Sequence, residues 1–226
     1  MARMIPIRAD RASPAIPLVT YTIILLNVIV YFWDRQGSLT GPSVTFADLG
    51  MRPQEVVQAI TGSGDRFPLV TLFTSLFLHG SLVHLLGNMI YLFTFGPGIE
   101  AALGSPRYSL YYLFWGLLAS GAHIAVDPTS AIPTIGASGA IGGVLGCYFL
   151  LFPTHKIELL IPFFVVTVEV VAWVLLGTWF LWQLLIKQEG VATWAHAGGF
   201  VAGMLTILIL GGRRAVLKGR EWMAES

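Results

Sequence analysis

The sequence predicts an all-α, polytopic membrane protein of six transmembrane helices, with an outer loop partly embedded in the membrane. Three observations carry that prediction. The 226 residues are 55% hydrophobic and only 11% charged, against about 25% charged in soluble domains. The mean hydropathy is +0.75, so a water-soluble chain of this size would expose too much apolar surface. The apolar residues also fall into six long stretches, separated by Pro, Gly and charged residues that end helices.

The first stretch covers about residues 17–33. Arg3, Arg8 and Arg11 precede it, as in a signal peptide. The run is too long for a signal h-region, and no A-x-A site follows, so it reads as an uncleaved first helix. The next apolar block, 67–95, is too long for one perpendicular span of a ~30 Å hydrocarbon core at ~1.5 Å per residue. His79-Gly80-Ser81 breaks it, with Ser suited to an N-cap. The second helix is therefore expected from Ser81 to about Ala101, and 67–78 is a membrane-dipping part of the preceding loop. The third helix is expected at 105–126 and the fourth at 137–152, between Pro133 and Pro153.

The run 157–186 is again too long for one span. Its stretch 165–171 is β-branched and contains Glu169, so 157–168 is read as irregular or interfacial, and the fifth helix is placed at 170–187. The sixth is expected at 192–210, ended by Gly211-Gly212-Arg213-Arg214. This divides the chain into a short N-terminal tail (1–15), a six-helix membrane domain (16–211) and a basic C-terminal tail (212–226).

Six helices leave both termini on one side. With both inside, the inner segments hold Arg3, Arg8, Arg11, Arg107, Lys156, Arg213, Arg214, Lys218 and Arg220. The outer loops hold only Arg35, Arg52, Arg66 and Lys187. That bias predicts cytoplasmic termini. The net charge of +1 says nothing about partners, and there is no basic block of the kind that binds nucleic acid. The lone Cys147 excludes an internal disulfide and reads as a buried packing residue.

Polar residues converge in this topology. The second, fourth and sixth helices all enter from the outside. His84, Ser138 and His196 lie near their starts, and Asn88 shares a helix face with His84. Gly139 and Gly143, Gly142 and Gly146, and Gly199 and Gly203 are spaced i,i+4. Small faces of this kind let membrane helices approach closely, which would bring Ser138 to His196. Alone, a membrane serine most often bonds its own backbone, and a membrane asparagine most often joins two helices. Together they form a nucleophile, a base and oxyanion donors: the Ser138 N–H, the Asn88 amide and the His84 imidazole. No Asp or Glu is placed to orient His196, so the expectation is a dyad. Tyr111, Tyr112 and Trp115 read as lipid-facing or interfacial anchors.

These motifs resemble the rhomboid family of intramembrane serine proteases. Gly136-Ala137-Ser138-Gly139 is similar to the family's G-x-S-G, and Ala195-His196-Ala197-Gly198-Gly199 to its histidine motif. The stretch from His79 through His84 to Asn88 resembles its H-x4-H-x3-N, and Gly96 through Glu100 to Gly104 its G-x3-E-x3-G. The order agrees across about residues 70–203.

The resemblance implies Ser138 as nucleophile and His196 as base, with His84 and Asn88 helping the oxyanion hole. It implies structural roles near the site for His79, Gly136, Gly139 and Gly199. His79 would order the outer loop, and Glu100 would tie the inner ends of helices two and three. The implied substrates are single-pass transmembrane proteins, cut after a small residue, with lateral access between helices two and five. No cofactor or metal is implied, and the expected location is a bacterial inner membrane.

Relatives often carry an aromatic residue four positions after the serine, packed on the histidine; here it is Gly142, and Tyr148 or Phe200 is expected to fill the gap. The tryptophan-arginine pair found in the outer loop of some relatives has no clear counterpart. Three alternatives are weaker. They are a catalytically inactive rhomboid-like protein that binds transmembrane helices, a metal-dependent hydrolase using His79, His84 and His196, and a channel.

Overall fold

A computed structural model describes residues 5–9, 16–43, 46–161, 166–186 and 190–220. It is mostly helical, with one small sheet. Strand β1 (Ile5–Ala9) precedes α1 (Leu18–Asp34). The long loop that follows carries short helices α2 (Phe46–Leu49), α3 (Pro53–Thr61) and α4 (Pro68–Thr74), and a 3₁₀ turn at Ser75–Phe77. Helices α5 (Leu82–Leu103), α6 (Ser105–Val126) and α7 (Ser138–Leu151) come next. Strands β2 (Lys156–Ile161) and β3 (Val166–Val171) lead into α8 (Ala172–Leu185), α9 (Thr193–Ile209) and the short α10 (Gly212–Val216).

The six apolar stretches of the sequence are thus α1, α5, α6, α7, α8 and α9. By length and composition, α5 and α6 can each cross a membrane. The other four are apolar but span only 14 to 17 residues. Large apolar side chains line the outer faces of three of them: Ile29 on α1, Leu185 on α8 and Ile209 on α9 are 54%, 75% and 82% exposed.

For the segment 157–168, expected to be irregular or interfacial, the irregular reading is corrected. Its described residues are sheet: β2 pairs antiparallel with β3 from Lys156↔Val171 to Ile161↔Val166, and with β1 on its other side. β-branched residues favour strands, and pairing satisfies backbone groups that an apolar setting would leave bare. The order is β1-β2-β3, so the all-α expectation holds for the helices but omits this sheet. The turn between α7 and β2 also fixes the start of α8, through Ala172 N–H to His155 O (2.8 Å) and Trp173 N–H to Pro153 O (3.0 Å).

Helix ends follow local chemistry. Ser81 caps α5, its hydroxyl accepting from the His84 N–H at 3.1 Å. Gly104, at φ +81°, makes the turn from α5 to α6. No side chain of its own caps α1. The buried Glu100 does so from α5, accepting from the N–H groups of Val19 (2.9 Å) and Thr20 (2.8 Å) and from the Thr20 hydroxyl. Its carboxylate also accepts from the Ser105 hydroxyl at 2.7 Å. The residue expected to join two helices therefore joins three.

The core lies where α7 meets α6 and α9. A Cβ at Gly199 would fall on Gly139 O, one at Gly203 on Gly143 O, and one at Gly146 on Phe200 O. Backbone touches backbone along this seam, and only glycine permits that approach. Trp115 sits against Gly143, fully buried, and donates to the Thr206 hydroxyl of α9 at 2.9 Å. Tyr112 is buried too. The anchor reading of these two is corrected: both are buried, the space beside Gly143 admits the Trp115 ring, and its indole finds its acceptor inside.

Candidate active site

Ser138 is the first residue of α7, where helix N–H groups have no intrahelical acceptor. Gly136, just before it, has φ +115°, and its N–H donates to Ser75 O at 2.8 Å. A Cβ there would meet the His84 ring at 2.8 Å and Asn88 Nδ2 at 3.5 Å. Conformation and space both demand glycine, and they seat the α5 side chains against the strand of chain that delivers the serine.

The α7–α9 seam then sets the distance to the histidine. Ser138 Oγ lies 2.8 Å from His196 Nε2. A Cβ on Gly142 would come within 2.7 Å of His196 O and 3.2 Å of Phe200 N. An aromatic residue at that position would drive α9 away. The departure at Gly142 is thus the condition for this close packing.

The aromatic cover of His196 comes from another helix. Trp179 of α8 stacks on the imidazole, with centroids 6.0 Å apart and planes at 27°. Neither expected residue does so. Tyr148 turns toward Phe95 and His155, and Phe200 packs against Trp179 and Phe180. The other ring nitrogen, Nδ1, lies 2.9 Å from Oε1 of the buried Gln183, also on α8. Sequence reasoning sought an acidic partner and passed over Gln183. The signal was present: a glutamine in an apolar helix, four residues after a tryptophan on the same face.

On the opposite wall, Asn88 Nδ2 lies 2.9 Å from His79 Nε2. An amide NH₂ only donates, so His79 accepts through an unprotonated Nε2. That state is stable because burial, aided by neighbouring His84, lowers the His79 pKa to about 3. His79 thereby fixes one amide hydrogen of Asn88 and leaves the other free. The rings of His79 and His84 meet edge to face at 5.0 Å.

A cavity of about 620 Å³ joins these groups, with Ser138, His196, His84, Asn88, Tyr91 and Trp179 in its wall. The structure therefore brings together the sequence-predicted Ser138, His196, His84 and Asn88. Gly136 and Gly139 line the same cavity, Gly199 packs against Gly139 O, and His79 bonds Asn88.

The chain is also similar to known proteins. The family model for the Rhomboid domain matches residues 66–213. Rhomboid protease GluP of Bacillus subtilis is 24% identical over 208 residues, 92% of this chain and 38% of that protein. Rhomboid protein 1, mitochondrial, of Saccharomyces cerevisiae is 34% identical over 154 residues, 60% of this chain and 40% of that protein. RHOMBOID-like protein 5 of Arabidopsis thaliana is 33% identical over 113 residues, 50% of this chain and 34% of that protein. The chain thus spans roughly a third to two fifths of the length of these relatives. With the domain matched over most of its length, the chain belongs to the rhomboid family.

Proposed function

We propose that this chain is an intramembrane serine endopeptidase working through a Ser138–His196 dyad. The observation that carries the reading is the 2.8 Å separation of Ser138 Oγ and His196 Nε2 inside a cavity walled by amide and imidazole donors. His196 accepts the Ser138 proton as the hydroxyl oxygen attacks a substrate carbonyl. The tetrahedral oxyanion is held by the Ser138 N–H at the helix terminus, the free Asn88 amide hydrogen and the His84 ring. His196 returns the proton to the leaving amine. Water, activated by the same imidazole, then hydrolyses the acyl-enzyme.

The membrane setting belongs to the same proposal. Six helices, α1 and α5 to α9, cross the bilayer with both termini cytoplasmic, and the cavity opens near the outer face. The exposed apolar side chains of α1, α8 and α9 support lipid contact. Substrates are single-pass transmembrane proteins entering between α5 and α8, with the outer loop or α8 as the gate. The cell membrane of a bacterium is the proposed location.

Fluorophosphonate labelling tests the nucleophile. Wild type is expected to be modified at Ser138, and His196→Ala to lose most of the labelling. Modification elsewhere, or full labelling without His196, would refute the assignment.

A further inference from the structure

We infer that α8 holds the base in working order through Gln183 and Trp179, which act as positioning residues for His196. The inference rests on the protease reading above and deepens it. Gln183 Nε2 donates back to Trp179 O at 3.4 Å. With the nitrogen turned toward the helix backbone, Oε1 points at His196 Nδ1, 2.9 Å away. A carbonyl oxygen only accepts. The imidazole proton therefore sits on Nδ1, and the Nε2 lone pair faces Ser138 Oγ. This is the one neutral tautomer that can take the serine proton. The reversed amide would present N–H to Nδ1 and force the proton to Nε2, where the ring could not act as base.

Trp179 supplies the other constraint. One turn before Gln183, it lies along the face of the same ring. It stops the imidazole from tilting out of line with Ser138, and Phe200 backs it in turn. Gln183 is neutral, so it lends the imidazolium no opposite charge. Its contribution is the tautomer and the ring plane, and the arrangement is a Ser–His–Gln series with an amide in the orienting position. Ser138 and His196 sit on α7 and α9, whose backbones touch, whereas both positioning residues sit on α8. The geometry of the base is thus conditional on α8 being docked. A substrate or mutation that moves α8 away releases the Nδ1 acceptor together with the stacked ring.

The test compares Gln183→Leu, which keeps bulk and loses the acceptor, with Gln183→Glu, which keeps an acceptor. Ring-nitrogen NMR of ¹⁵N-histidine protein, with His196 assigned from His196→Ala, reads the tautomer without substrate. Wild type and Gln183→Glu are expected to hold the proton on Nδ1, and Gln183→Leu to show a mixture. Fluorophosphonate labelling and kcat should fall by about tenfold or more in Gln183→Leu, with KM little changed. A single Nδ1–H tautomer in Gln183→Leu, or wild-type labelling by it, would overturn the inference. Because the NMR signal needs no cleavage, it can fail while Ser138→Ala still abolishes proteolysis, and the reverse also holds.

Discussion

Asn88 and His79 show how much one side chain depends on its neighbour. Asn88 lines the cavity with one of its amide hydrogens held by His79 at 2.9 Å. Asn88→Ala is expected to lower kcat by about 10²–10³ with little change in KM, the loss typical of one oxyanion donor; steady-state kinetics on a reconstituted substrate checks this. His79 adds a pH dependence. Its folded pKa of about 3 lies below the ordinary histidine value of about 6.5, so the unfolded chain takes up this proton first. The stability that neutral His79 contributes is complete above about pH 6.5 and is lost as pH falls toward 3. Thermal unfolding in detergent should decline over that window, and less steeply in His79→Asn. An equally steep decline in the variant would show that His79 is not the group responsible.

At the scale of elements, the α7–α9 seam decides the site. Gly199→Ala puts a methyl on Gly139 O, which is backbone and cannot yield. It should cost about 1–3 kcal/mol by overpacking and reduce labelling of Ser138. Gly121→Ala in α6 is the control, since nothing lies within 4 Å of its Cβ. There alanine should gain about 0.5–1 kcal/mol from helix propensity. Unfolding midpoints of the two variants should move in opposite directions. This seam was legible in the sequence, because i,i+4 glycines flank Ser138 and His196 on two apolar stretches. The sheet was not. β1 pairs with β2 across some 150 residues of chain, and no local pattern announces so distant a partner. Gln183 stands out less for a different reason: a histidine Nδ1–H needs only an acceptor, so its partner need not be a carboxylate.

Across the whole molecule, the groups at the cavity come from several separate elements: α5 brings His84 and Asn88, α7 Ser138, α8 Trp179 and Gln183, and α9 His196. The sheet and Glu100 tie these elements together at some distance from the cavity. Motif order was enough to place α5, α7 and α9 around one site. The residues that α8 contributes belong to no motif, and only the polar Gln183 within its apolar run marks them. Under the proposed function, a transmembrane substrate arrives as a helix whose backbone is already bonded, so it would have to unwind. Substrates with Gly or Pro near the cut should be cleaved faster than Leu- or Ala-substituted versions, and competition assays in proteoliposomes measure this. Equal rates would argue against an unwinding step. The most direct measurement is cleavage of a reconstituted single-helix membrane protein by wild type and by folded Ser138→Ala. Cleavage by wild type and none by Ser138→Ala is predicted; undiminished cleavage by Ser138→Ala would contradict the serine protease account.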